Sequence, residues 1–165
     1  MILAVASCLS LAVSASAAGT TTRKATDFKD YDRSAWYAEA VSAAVDNGLL
    51  YGKSSTIIDP NGDMTRAEMA AIINRSFGCY KVADISQYKD VAKSKWYYKD
   101  VGLAVQMGTY NGRSSSSMAP DAPITREEAM TVVARALELD YDAYAKTDLS
   151  KFADEKNISS WALTY

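Results

Sequence analysis

Two arginines occupy equivalent places in the chain and are the residues best suited to bind a ligand. Arg66 and Arg126 lie in the segments Thr65-Arg-Ala-Glu68 and Thr125-Arg-Glu-Glu128. A threonine followed three residues later by a glutamate predicts a capped helix start. A guanidinium group there adds a planar fork of donors to the positive end of the helix dipole, which suits a carboxylate ligand. The alternative for Arg66 is an ion pair with a nearby acid, such as Asp59, Asp63 or Glu68.

Two tryptophans and two aspartates at equivalent positions of the repeat are further candidates for ligand contact. Trp36 and Trp96 each offer an indole face on which a sugar ring could stack, although aromatic residues serve equally well as core anchors. Asp30 and Asp90 could bond to sugar hydroxyls, but a capping or turn-forming role accounts for them at least as well.

A pair of glycines precedes the longest predicted loops. Gly52 and Gly112 permit either close approach of a ligand or a positive φ angle, and the second role is the simpler one. Each loop that follows runs for about a dozen residues, a length that indicates function in a compact domain. The first loop carries Asp59, Asn61 and Asp63 at the alternate spacing of a calcium loop. It lacks the glycine and the bidentate acid that such a loop needs, so we predict no metal and no cofactor.

The elements that position these residues form a repeat with a period of 60 residues. Trp36-Tyr37, Gly48, Pro60 and Thr65-Arg66 return as Trp96-Tyr97, Gly108, Pro120 and Thr125-Arg126. A third copy opens at Phe152 and includes Trp161. Self-similarity of this period is typical of arrays of small units, each too small to bury an apolar face alone.

Each complete copy is predicted to contain two helices joined by a loop. The first helix of the first copy is expected over residues 36–47, with Gly48 as a left-handed residue after its end. The second helix follows the threonine cap. Its apolar face is expected to be Met69, Ile72, Ile73 and Phe77 in the first copy. The matching residues of the second copy are Met130, Val133 and Leu137.

Composition excludes several functions. The chain has 165 residues, a formal net charge of −2 and no histidine. Without a net positive field, a nucleic-acid partner is not expected. Lack of histidine removes the commonest general base and metal ligand. Residues 1–18 are apolar and end in small residues, which predicts a secretory signal peptide, and no membrane span is expected in the mature chain.

The repeated residues resemble the S-layer homology domain. Phe28-x-Asp30, Trp36-Tyr37, Pro60 and the segment Met64–Ala70 carry the resemblance, and Ile124–Ala129 is a second copy of its most specific motif. The resemblance implies an all-α fold of tandem helix-loop-helix modules in a pseudo-threefold helical bundle. Its modules are residues 28–77, residues 88–137 and an incomplete third module from residue 152 to residue 165.

The function that the resemblance implies is non-covalent anchoring to the cell wall of a secreted or S-layer protein. Members of the family bind secondary cell wall polysaccharide, often bearing a pyruvate ketal, or modified peptidoglycan, in grooves between adjacent modules. The arginine of the motif takes part, which implies Arg66 and Arg126 here. Glu127 replaces the usual alanine and places a negative charge beside Arg126, which we expect to weaken anion binding.

Two other functions compete with the anchor. A glycosidase could use Glu68 with Asp63, but Glu68 already has a capping role, and catalytic residues rarely occur as tandem duplicates. We therefore predict no enzyme activity for this chain, although an enzyme could be fused to it. The repeats could instead mediate lateral protein assembly of an S-layer without recognising a glycan.

Overall fold

The computed structural model describes residues 23–139 and 148–163. The predicted signal peptide and the last two residues of the third copy lie outside the described residues. The described chain is helical, with an isolated antiparallel bridge between Thr65 and Pro123, and the all-α prediction is confirmed. Its α-helices are α1 Ala38–Asp46, α2 Arg66–Phe77, α3 Tyr98–Gln106 and α4 Arg126–Ala136. Short 3-10 turns span Ala25–Asp27 and Glu155–Asn157.

The predicted caps of the second helices are confirmed. In α2, the Thr65 hydroxyl accepts a hydrogen bond from the Glu68 amide at 3.2 Å, and the Glu68 carboxylate accepts one from the Thr65 amide at 2.8 Å. Thr125 and Glu128 make the same reciprocal pair at the start of α4. Each box satisfies two backbone groups that the first turn would otherwise leave unpaired.

The predicted ends of the first helices are also confirmed. Gly48 has a φ angle of +68° after α1, and Gly108 has a φ angle of +72° after α3. A side chain in this region strains the backbone, so glycine is the residue that allows the chain to turn away. Helix α1 begins two residues after the predicted start, because Trp36 and Tyr37 lie in the turn before it.

The main core joins the two copies instead of lying inside either one. Helix α2 packs against α3, the first helix of the next copy, and also contacts α4. The buried cluster contains Ala67 and Ala70 from α2, Tyr97 and Val101 beside them, and Val132 from α4. Small residues on α2 allow α3 to approach closely. The sequence copies are therefore interleaved in space, with the second helix of one packed on the first helix of the next.

The predicted apolar faces of the second helices are wrong in part. On α2, Ile73 is buried but Phe77 is exposed, and the buried face is formed mainly by alanines. In the second copy, the three predicted residues, two on α4 and Leu137 just after it, are exposed, while Thr131, Val132 and Ala134 are buried. The packing partner decides which face is buried, and the described partner of α4 is α2. The spacing of apolar residues predicted the helix but not the face of α4 that packs against α2.

Candidate functional site

The first turn of α2 inserts into the loop of the second copy. The amide of Arg66 donates to the Ala122 carbonyl at 3.0 Å, and the amide of Ala67 donates to the Pro120 carbonyl at 3.0 Å. In return, the amide of Ile124 donates to the Met64 carbonyl at 2.9 Å. These bonds satisfy helix N-terminal donors that a capping box alone leaves free. The loop thus fixes the position and direction of Arg66.

The side chain of Arg66 is buried and fully engaged, with only 5% of the residue exposed. One terminal nitrogen lies 2.8 Å from a carboxylate oxygen of Glu128. The other donors reach the carbonyls of Met118 at 3.0 Å and Asn111 at 3.2 Å. The guanidinium also lies over the ring of Tyr110, 5.2 Å from its centroid. Arg66 does form an ion pair, but with Glu128 of the second copy and not with the nearby acids suggested by the sequence.

Glu128 connects Arg66 to a second, more exposed arginine. Arg113 donates from Nε to one carboxylate oxygen of Glu128 at 3.0 Å and from a terminal nitrogen to the other at 3.1 Å. Burial alone would raise the pKa of Glu128, but hydrogen bonds from Arg113 and Thr125 and the charges of both arginines outweigh it and hold the pKa below its usual value. The carboxylate therefore stays ionised between two guanidinium groups.

A groove of about 490 Å³ lies alongside this ion-pair network, within the volume range of small-ligand sites. It is bounded by the loop after α3, by one side of α4 and by the start of the third copy. Its lining residues are Arg66, Thr109, Tyr110, Asn111, Gly112, Arg113, Glu127, Glu128, Thr131, Val132, Arg135, Ser159 and Trp161. Three guanidinium groups and two carboxylates line the groove, which leaves one positive charge in excess.

One wall of the groove depends on Glu127. Its carboxylate accepts hydrogen bonds from the Ser159 amide at 2.9 Å and from the Ser159 hydroxyl at 3.0 Å. This pair fastens the third copy to α4 and sets Trp161, two residues later, at the edge of the groove. The Glu127 carboxylate therefore holds Ser159, and its expected weakening of anion binding beside Arg126 stays a prediction.

The structure does not bring all the predicted ligand residues together. Arg66 and Gly112 line the groove, but Arg126 does not. The side chain of Arg126 is exposed, and within residues 23–139 and 148–163 it has no ion pair or hydrogen bond. Trp36 and Trp96 are 92% and 60% exposed and lie away from the groove, so neither is a core anchor.

Asp30 and Asp90 are placed within the loops of their own copies. Asp30 accepts bonds from the amides of Ile58 and Asp59 at 3.0 and 2.7 Å. Asp90 makes the equivalent bonds to Met118 and Ala119 at 2.9 and 2.7 Å. The hydrogen bond from the Ile58 amide is the main reason that the pKa of Asp30 lies below its usual value. Both carboxylates thus shape the long loops, and their role as ligand contacts stays a prediction.

The two glycines that were predicted as candidate site residues differ in backbone conformation. Gly52 has a φ angle of +81°, as expected, and a Cβ atom there would also lie 2.4 Å from the Phe28 ring. Gly112 is not among the glycines with a positive φ angle, so that interpretation is wrong for it. A Cβ atom at Gly112 would instead meet the ring of Tyr88 at 2.4 Å. Close backbone approach to an aromatic ring is the constraint that both share.

Sequence reasoning missed Arg113 and Arg135, although a signal for both was present. The residues 60 positions earlier are Lys53 and Arg75, so a positive charge recurs at each position. Lys53 bonds Glu68 at 2.8 Å just as Arg113 bonds Glu128. The recurring charge identifies a basic partner for the capping glutamate, but the sequence does not show that only the second copy opens into this groove.

Comparisons with known proteins indicate one protein family. A family model described as the S-layer homology domain matches residues 27–70 and 87–130, just over half of the chain. The surface-layer 125 kDa protein of Lysinibacillus sphaericus is 32% identical over 142 residues, which are 86% of this chain and 12% of that protein. The cellulosome-anchoring protein of Acetivibrio thermocellus is 28% identical over 117 residues, 67% of this chain and 26% of that protein.

Enzymes also occur among the similar proteins. An endoglucanase of a Bacillus species is 26% identical over 157 residues, 93% of this chain and 16% of that protein. The chain thus spans between about a tenth and a quarter of the length of these three relatives. Within the described ranges, no helix is long and apolar enough to span a membrane. The same residues contain no group of three or more His, Cys, Asp or Glu side chains that could hold a metal ion.

Proposed function

This chain belongs to the S-layer homology domain family, and from that membership we propose that it is a non-catalytic anchor for an acidic polysaccharide of the bacterial cell wall. The similar proteins include surface-layer, cell-surface and cell-wall proteins, and the chain is a secreted protein of the cell wall or S-layer. The proposal concerns the ligand and the site that holds it.

The groove beside Arg66 and Glu128 is the observation that carries the proposal. Arg113 and Arg135 bring guanidinium groups to a concave surface with an excess of positive charge. Arginine is suited to carboxylates, and Arg113, whose Nε and one terminal nitrogen already bind Glu128, would use its other terminal nitrogen for a ligand. Trp161 adds a partly exposed indole at the edge, on which the apolar face of a sugar ring can stack. Acid recognition and sugar stacking therefore meet in one cleft.

The ligand we propose is a secondary cell wall polysaccharide that bears a carboxylate, such as a pyruvate ketal, and modified peptidoglycan is the alternative. Arg66 itself is not proposed to grip the carboxylate directly, because its donors are engaged by Glu128, Met118 and Asn111. Its role is to hold Glu128 and the groove floor in place. The exposed Arg126 remains a candidate for a separate contact.

Cosedimentation with purified cell walls tests this function. Walls with their polysaccharide retained should pellet the protein, and walls from which it has been extracted should not. The Arg113→Gln and Arg135→Gln variants should each bind the intact walls about tenfold more weakly, since a hydrogen bond to a charged group contributes about 1.5–3 kcal/mol. Lys53→Gln is the matched control, because it removes the equivalent charge of the first copy away from the groove.

A second function has a separate observation in its favour. Met130 and Val133 on α4 and Leu137 just after it are large apolar side chains that are exposed, and exposed apolar faces often mark protein interfaces. Lateral assembly of an S-layer through this face would need no glycan. Wall binding that persists after polysaccharide extraction, together with concentration-dependent association in analytical ultracentrifugation, would favour assembly over anchoring.

A further inference from the structure

An arginine that precedes the first copy makes contacts of the same kind as the motif arginine makes at the second copy. One terminal nitrogen of Arg66 donates to the Asn111 carbonyl at 3.2 Å. The residue 60 positions before Asn111 is Tyr51, and its carbonyl accepts a hydrogen bond from Arg23 at 3.0 Å. Each guanidinium also lies over an aromatic ring of the copy it contacts, 5.1 Å from the centroid for Arg23 and 5.2 Å for Arg66. The first copy therefore has its own arginine at the equivalent carbonyl.

Unlike Arg66, Arg23 keeps its positive charge without a counter-charge. Its second terminal nitrogen donates to the Ser55 carbonyl at 2.7 Å, so its hydrogen-bond partners are uncharged backbone groups. In the part of the chain that the structure describes, no carboxylate lies within ion-pair distance of it. Arg66, by contrast, is neutralised by Glu128 at 2.8 Å. Because Arg23 is partly exposed, its charge can attract an anion from outside the protein.

A second arginine lies against the same tyrosine. The guanidinium of Arg75 is 4.1 Å from the centroid of the Tyr51 ring, and one of its terminal nitrogens donates to the Leu49 carbonyl at 2.9 Å. Arg75 likewise forms no ion pair among the described residues. It is the counterpart of Arg135, which lines the groove at the second copy. Tyr51 is 56% exposed, so two arginines without counter-charges contact an aromatic residue that is open to solvent.

The charged pair next to this tyrosine is neutral and self-contained. The Lys53 ammonium lies 2.8 Å from both carboxylate oxygens of Glu68 and 3.0 Å from the Asp63 carbonyl. These three bonds use all the donors that a lysine has. Lys53 is therefore not available to a ligand, and Glu68 does not cancel the charge of the two arginines. The excess of positive charge beside Tyr51 comes from Arg23 and Arg75.

We propose that Arg23, Tyr51 and Arg75 form a second contact site for the acidic wall polysaccharide, the first-copy site, which is separate from the groove. The choice of ligand rests on the anchoring function proposed above. The two guanidinium groups would bind a carboxylate, and the exposed Tyr51 would pack against a sugar ring. A polysaccharide repeats its acidic unit, so one polymer can occupy the groove and the first-copy site together. Two linked contacts bind more tightly than either one alone.

Variants of the two sites, alone and combined, test the first-copy site. The probe is polysaccharide released from purified bacterial walls, titrated into the whole chain by calorimetry. Arg23→Gln should raise the Kd by about three- to tenfold, because it removes a charged hydrogen-bond donor. Arg75→Lys should do the same, since lysine keeps the charge but lacks the planar fork. The double variant Arg23→Gln with Arg113→Gln should bind more weakly than either single variant.

Arg33→Gln is the matched control. It removes one exposed arginine charge from the same copy, and Arg33 makes no hydrogen bond or ring contact with Tyr51. Its Kd should equal that of the wild-type chain, and an equal rise in Arg33→Gln and Arg23→Gln would overturn the site as an effect of net charge. Tyr51→Leu serves as a further variant if an arginine variant fails to fold, and its Kd should rise by about threefold.

The outcomes separate the first-copy site from the anchoring groove. Wild-type affinity in Arg23→Gln, Arg75→Lys and Tyr51→Leu would overturn the first-copy site and leave the groove. Weaker binding in these variants, with no change in Arg113→Gln, would support the first-copy site and contradict the groove. Failure of the wild-type chain to bind the released polysaccharide would overturn both sites.

Discussion

Arg66 and Glu128 are 62 residues apart in the sequence, and their side chains meet at 2.8 Å. Arg66 opens α2 of the first copy, while Glu128 caps α4 of the second. The motif that suggests a ligand-binding arginine thus supplies, in this copy, the ion pair that joins two copies. The groove lies next to this junction, so the geometry of the candidate site depends on the pair remaining intact.

Removal of one partner of the pair should destabilise the fold. Arg66→Ala leaves Glu128 partly buried with one cation fewer, and loss of a buried partner costs about 3–5 kcal/mol. We expect that decrease in the free energy of urea unfolding, with wall binding reduced as a consequence. Lys53→Ala is the control, since its ion pair with Glu68 is more exposed and its loss should cost about 1 kcal/mol or less. Equal losses of unfolding free energy in the two variants would show that the Arg66–Glu128 pair does not stabilise the contact between the copies.

Acid should weaken the same junction. The pKa of Glu128 is lowered in the folded state, so its ionised form contributes stability that is fully present above its unfolded value of about 4.5. That stability is lost as the pH falls through the lower folded-state value. We expect the unfolding free energy to decline below about pH 4.5 and the decline to be smaller in Glu128→Gln. Identical pH profiles for the two proteins would contradict this assignment.

Two glycines with similar backbone angles should respond differently to alanine. Gly52 and Gly78 have φ angles of +81° and +74°, but a Cβ atom at Gly52 would lie 2.4 Å from the Phe28 ring and 2.7 Å from the Ile57 carbonyl. Nothing lies within 4 Å of the equivalent position at Gly78. Gly78→Ala should cost about 1–2 kcal/mol from backbone strain alone. Gly52→Ala should cost at least about 1 kcal/mol more because of overpacking, as measured by thermal unfolding.

The sequence predicted the local structure well because helix starts and ends depend on nearby residues. Thr65 with Glu68 and the position of Gly48 specify their own caps and turns, and all of these are confirmed. Contacts between copies follow different rules. Neither the pairing of Arg66 with Glu128 nor the exposure of Leu137 can be inferred from helical periodicity, since each depends on which helix lies opposite.

The groove itself depends on residues that the repeat does not share. Glu127 occupies the position that is Ala67 in the first copy. The Ala67 methyl group is buried, whereas the Glu127 carboxylate binds Ser159. A pattern of equivalent positions predicts what the copies have in common. It does not predict where one copy departs from the other, as it does at Glu127.

Glu127→Ala should detach the third copy from α4. The substitution removes both hydrogen bonds to Ser159, so the Ser159 amide should exchange hydrogen faster and the groove should lose the wall that carries Trp161. We expect weaker wall binding with little change in the unfolding midpoint, because neither Glu127 nor Ser159 belongs to the main core. Ser159→Ala removes only the hydroxyl contact and should have a smaller effect. Unchanged exchange at Ser159 in Glu127→Ala would show that other contacts hold the segment.

The recognition of an acidic wall glycan is tested most directly by titrating released wall polysaccharide into the wild-type chain before and after its carboxyl groups are reduced to alcohols. Because guanidinium groups at the groove are proposed to bind a carboxylate, reduction should raise the Kd by at least about tenfold. Equal affinity for the native and the reduced polysaccharide would contradict acid recognition in this groove.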